Sequence, residues 1–194
     1  MAEPSARIAP DQALNGLSEA VEARKRGPAP VHLWNPPYCG EIDMRIAADG
    51  TWFYCGSPIG RAPLVQLFAS ILRKDEDRYV LVTPVERVGI RVDDAPFLCV
   101  EMAADEQGLT FRTNVEDVVA VDAEHPMRFE RAAADGIKPY VRERGGLWAL
   151  VKRALYYDLV ALGAVEAWRG DDWFGVRSRG AFFPMVRASE IEGL

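Results

Sequence analysis

Between Val85 and Val141 the chain is cut at close intervals by turn residues: Asp93-Asp94-Ala95-Pro96, Asp105-Glu106-Gln107-Gly108, Asn114, His125-Pro126 and Asp135-Gly136. The short segments left between these breaks are rich in β-branched and aromatic residues, so they read as strands. Strands are expected at 86–92, 97–103, 109–113, 118–122, 127–132 and 137–142, joined as an antiparallel meander. This interval dominates the fold.

Its flanks add helices. Pro63 suits the first turn of a helix with the apolar stripe Leu64, Leu67, Phe68, Ile71 and Leu72, followed by a strand at 79–82. Gly145-Gly146 is expected to open a helix over 147–162, stopped by Gly163, before a final strand pair, 173–178 and 181–186, around Gly180. Near the start, Asp11 to Arg26 reads as a surface helix, closed by Gly27-Pro28-Ala29-Pro30. Asp49-Gly50 predicts a two-residue hairpin turn in which Ala48 faces Thr51, Ile46 faces Phe53 and Met44 faces Cys55. Alternation then puts Ile42, Met44, Ile46, Phe53 and Cys55 on a core face, and Asp43, Arg45, Trp52 and Tyr54 on the other.

Segments 52–86 and 138–185 run in the same order of strand, helix, polar loop and strand, which suggests two related modules. The expected fold is α+β, with an N-terminal helix and linker (1–30), a first α+β module (31–95) and a second (96–194).

Composition narrows the function. A net charge of −6 and a pI near 5.1 do not supply the basic surface that nucleic acid requires. The apolar run 147–162 is interrupted by Lys152, Arg153 and Asp158, so no membrane span is expected. The first residues lack a basic start and an apolar core, so a cytoplasmic protein without a secretory signal is expected. Cys39, Cys55 and Cys99 are an odd, widely spaced set, and with His32 and His125 they form no paired zinc motif. No metal and no cofactor is called for.

The runs NPPYCGEIDMRIAADGTWFY (35–54), GSPI (56–59), YVLVTPVE (79–86) and VDDAPF (92–97) resemble a proteobacterial family of unknown function, domain-of-unknown-function family 1285. The resemblance covers roughly residues 34 to 186. It implies a two-domain α+β fold with repeated motifs and a role in signal transduction. It brings no established activity and no catalytic residues.

Three kinds of site compete. Gly56-Ser57-Pro58-Ile59-Gly60-Arg61 precedes a helix N-terminus, where free amides attract anions and Arg61 adds a forked donor. With Tyr54, Arg45 and Asp43 nearby on the hairpin, Gly56, Ser57, Gly60 and Arg61 make up the candidate ligand site. The leading expectation is therefore a non-enzymatic binding or regulatory protein that senses a small anionic ligand. Alternatively, Trp52 and Tyr54 form an aromatic face that docks a protein partner or is covered as a domain interface, and a homo-oligomer is compatible with either. The third reading is an enzyme with Cys39 as nucleophile and His32 near it in sequence.

Overall fold

The computed structural model describes residues 29–132 and 136–191. The expected helix at 11–26 lies outside them. The chain divides into two compact units, one reaching to Pro96 and including Gly145–Leu147, the other comprising Phe97–Arg144 and Trp148 onward. Both are predominantly β, with a few short helices.

In the first unit β1 (Tyr38–Ile46), β2 (Trp52–Tyr54) and β3 (Ser57–Pro58) form one meander. Helix α1 (Ala62–Ser70) leads to a second, β4 (Leu72–Asp75), β5 (Arg78–Val82) and β6 (Arg87–Val92). The sheet order is β3-β2-β1-β6-β5-β4. Its two central strands, β1 and β6, are parallel, and β6, expected to open the antiparallel meander of 86–142, belongs to this sheet. The core face carries Met44, Ile46, Trp52, Leu72, Leu81 and Val88, with Phe68 and Ala69 of α1. Trp52 stacks on Phe68 with ring centroids 6.2 Å apart.

The first hairpin corrects the expected register. Ala47 N–H donates to Thr51 O and Gly50 N–H to Ala47 O, both at 2.9 Å, and only Gly50 has a positive φ, +81°. The connection is thus a three-residue loop, a type I turn closed by a left-handed glycine. Asp49 escapes the left-handed conformation that a two-residue type I′ turn would impose on it, and its carboxylate accepts the Thr51 amide at 2.9 Å. The pairs become Met44–Tyr54, Arg45–Phe53 and Ile46–Trp52. One extra loop residue exchanges the faces of the second strand. Trp52 enters the core and Phe53 turns outward beneath Arg45, 5.9 Å from its ring centre. Cys55, expected in the core, is exposed.

Type I′ turns occur elsewhere. Cys55-Gly56, Gly145-Gly146, Arg169-Gly170 and Arg179-Gly180 each have two consecutive positive φ values between antiparallel strands. Gly145-Gly146 therefore turns a hairpin where a helix start was expected. Residues Leu147–Val151 follow as a strand in which burial alternates with period two. The helix is only Arg153–Ala161.

The second six-stranded sheet consists of β7 (Phe97–Ala104), β8 (Leu109–Thr113), β9 (Val118–Ala120), β10 (Met127–Arg131), β11 (Ile137–Arg144) and β12 (Leu147–Val151). They order as β10-β11-β12-β7-β8-β9, with β7 and β12 parallel at the centre. Counted from its own first strand, this is the strand order of the first sheet. The correspondence expected between 52–86 and 138–185 is a different one, since 138–185 spans the end of this sheet, α2 (Arg153–Ala161) and a separate three-stranded sheet. That sheet comprises β13 (Ala164–Trp168), β14 (Asp171–Ser178) and β15 (Ala181–Arg187), ahead of α3 (Ala188–Ile191).

Ser178 pins the three-stranded sheet to the start of β8 and to Val121, just past β9. Its buried hydroxyl accepts the Leu109 amide at 2.8 Å and donates to Val121 O at 2.6 Å. Gly108 permits this approach, because a Cβ there would lie 2.2 Å from Ser178 Oγ and 2.8 Å from the Arg179 amide nitrogen, at φ +147°. Ser178→Ala leaves the Leu109 amide without a partner and Val121 O with only a 3.5 Å bond from Arg179 Nη1, and is expected to cost about 1–3 kcal/mol. Gly108→Ala, which strains the backbone as well, should cost more. Urea unfolding of the two variants checks the ranking.

Candidate functional site

The outer face of the first sheet gathers charged residues by strand alternation. Arg73 pairs across to Val80, which pairs to Gly89; Asp75 pairs to Arg78; Arg87 pairs to Val82 and, on the parallel side, to Tyr38. Opposed residues share a face, so Tyr38, Arg73, Asp75, Arg78, Arg87 and Gly89 lie on one side of the sheet. Together with Trp34 the first five line a cleft of about 1490 Å³ that lies wholly within the first unit.

An ion-paired triad forms its floor. Arg73 holds Asp75 side-on, Nε to Oδ1 at 2.6 Å and Nη2 to Oδ2 at 2.9 Å, while its Nη1 donates to the carbonyls of Val31 and Trp34, each at 2.6 Å. Arg87 Nη1 donates to Asp75 Oδ2 at 2.8 Å. The Arg73 hydrogen bonds, with Arg87 adding, hold the Asp75 carboxyl below the usual carboxylate range.

Arg87 has further donors beside this bond. Its Nε is buried and without a hydrogen-bond partner among the described residues, and so is the Tyr38 hydroxyl on the neighbouring strand. The glycine at 89 lets the phenol lie across β6: a Cβ there would fall 2.6 Å from Tyr38 Oη and 2.9 Å from Glu41 Cγ. The guanidinium of Arg78 sits 5.0 Å above the Tyr38 ring.

The residues expected at the site lie elsewhere. Gly56, at φ +75°, belongs to a hairpin turn, and Ser57 is in β3, paired to Tyr54. The Ile59 amide donates to Trp52 O at 2.7 Å, so that loop uses its backbone as a strand edge. Gly60 and Arg61 are exposed, and Arg61 caps α1 without a side-chain hydrogen bond. Tyr54 is half-buried beside the core-facing Met44. Arg45 does lie outward as expected, gripping Asp93 with Nε at 2.9 and 3.0 Å. Asp43, also outward, is 3.9 Å from Arg91. Cys39 is exposed with its thiol 3.6 Å from Pro37 O, and no hydrogen bond joins it to His32 or His125 among the described residues. The signal for the cleft was the alternation Arg73-x-Asp75 and Arg87-x-Gly89-x-Arg91, which places these residues on one strand face.

Among the described residues no group of three His, Cys, Asp or Glu side chains could hold a metal ion, and no helix is long and apolar enough to cross a membrane. Cys99 is buried in the second unit, where burial pushes its thiol up to about 12.

Fold and cleft together define a two-unit, predominantly β protein with an arginine-rich sheet face. The chain belongs to the DUF1285 family: residues 29–95 match its N-terminal domain of unknown function and residues 96–185 its C-terminal domain. It is similar to the crystal structure of a DUF1285 family protein from Silicibacter pomeroyi DSS-3, at 50% identity over 93% of this chain and 100% of that one, with a TM-score of 0.83. A DUF1285 family protein from Shewanella baltica OS155 is 32% identical over 61% of this chain and 90% of that one, with a TM-score of 0.50. No curated protein matches.

Proposed function

We propose that the protein is a non-enzymatic binding protein whose first unit takes a small oxyanion on Arg87. The observation that carries this reading is the pair of buried, unpartnered donors, Arg87 Nε and Tyr38 Oη, from adjacent strands on the wall of one cleft. A buried donor left unpaired costs about 1–3 kcal/mol, which an anion accepting from both would recover. The Nε and Nη2 atoms of arginine form two parallel donors suited to an oxyanion. Arg78 is exposed, and lifting it from the Tyr38 ring gives up about 0.5–1 kcal/mol of cation–π attraction. Occupancy of the cleft is the input through which such a protein would act in regulation.

Thermal melts with acetate, succinate and inorganic phosphate test the reading. A ligand that binds the native state raises the melting temperature with concentration. The rise should shrink in Tyr38→Phe and vanish in Arg87→Lys, which keeps the charge beside Asp75 and removes the fork. Gly89→Ala should also weaken it, by pushing the phenol off β6. Melts insensitive to all three anions would contradict the proposal.

A further inference from the structure

We infer that the Arg87 site selects a carboxylate over a phosphate; the inference rests on the oxyanion reading above. The first argument is charge. Arg73, Arg78 and Arg87 set against Asp75 and Glu41 leave one net positive charge at the site, and Asp75 is already bonded by both Arg73 and Arg87. A single carboxylate balances that charge. A phosphate dianion would bring a second negative charge beside Asp75 and toward Glu41, whose Cγ also approaches Gly89. Like charges at such range disfavour the doubly charged ligand, most of all where burial limits screening.

The second argument is shape. Arginines of this chain repeatedly hold carboxylates through the same edge: Arg73 holds Asp75, Arg45 holds Asp93, Arg112 holds Glu101 and Arg177 holds Glu166, each by Nε and Nη2. Arg87 spends Nη1 on Asp75 and makes no hydrogen bond through Nε or Nη2 among the described residues. A planar carboxylate satisfies that edge with two oxygens, and the Tyr38 hydroxyl, unpartnered on the strand paired beside Arg87, is the third donor we assign to it. The three donors match a two-oxygen acceptor. A tetrahedral phosphate would leave its remaining oxygens against a wall that also holds the carboxylate of Asp75.

The test compares dissociation constants for acetate and inorganic phosphate, obtained from the concentration dependence of the melting temperature at one ionic strength and pH 7.5. Acetate is expected to bind about tenfold more tightly than phosphate, with binding abolished in Arg87→Lys. Phosphate binding as tight as acetate, and still dependent on Arg87, would overturn the carboxylate preference while leaving the oxyanion site intact. Stabilisation by neither anion, or stabilisation unchanged in Arg87→Lys, would overturn both.

Discussion

Trp52→Ala should destabilise the protein by about 3–5 kcal/mol, whereas Phe53→Ala should cost about 1 kcal/mol or less. The contrast follows from the three-residue loop at 48–50. Trp52 is 1% exposed and stacks on Phe68, so its removal leaves a cavity between sheet and helix. Phe53 is half-buried and its ring meets Arg45 on the outer face. Urea unfolding followed by far-ultraviolet circular dichroism measures both losses. If the hairpin turned on Asp49-Gly50 alone, the ranking would reverse, because Phe53 would then be the residue facing the core.

Glu143→Gln should stabilise the protein at pH 8 and change it little at pH 4. Glu143 is 8% exposed in the second unit. Arg144 bonds one of its oxygens and the other is buried without a partner. Burial is the largest influence and pushes its carboxyl up to about 7, against the opposing pull of Arg144 and with a further push from Asp117. A carboxyl whose folded pKa lies above its unfolded value binds its proton more tightly in the folded state. Its contribution to stability is complete below about pH 4.5, declines as pH rises, and is lost above about 7. The penalty at pH 8 is on the order of 3 kcal/mol, and a neutral glutamine removes it. The unfolding free energy of the variant minus that of the parent should therefore rise from near zero at pH 4 to its full value by pH 8. A variant less stable than the parent at pH 8 would mean that Glu143 is ionised in the fold and that its pairing with Arg144 dominates.

Much of the β architecture was legible because it is local. The turn residues around 93–96, 105–108 and 125–126 bracket strands that form close to their expected limits, and Gly180 turns its hairpin where expected. What was not legible depends on choices between nearly equivalent local solutions. Asp49-Gly50 suits both a two- and a three-residue loop, and the burial of Trp52 decides between them. Leu147-Trp148-Ala149-Leu150-Val151 fits a helical stripe or an alternating strand, and pairing with β11 through the Gly145-Gly146 hairpin and with Phe97, Leu98 and Cys99 selects the strand. The parallel central pairs, β1 with β6 and β7 with β12, join residues distant in sequence and leave no local mark. The cleft shares that dependence. Tyr38, Asp75 and Arg87 come from three strands, and nothing near Arg87 in sequence announces that Tyr38 will lie beside it. The glycine-rich loop before Arg61, conspicuous in sequence, forms a hairpin turn and a short strand beside β2, with the Ile59 amide bonded to Trp52 O.

The most direct test of the oxyanion site is the side-chain Nε–H resonance of Arg87 in a ¹H–¹⁵N spectrum, assigned by its loss in Arg87→Lys and titrated with acetate. A ligand seated on the Nε–Nη2 edge should move that resonance downfield, saturating with the dissociation constant seen in the melts, and the movement should shrink in Tyr38→Phe. An Arg87 resonance that stays in place while acetate shifts those of exposed arginines such as Arg61 would contradict the account.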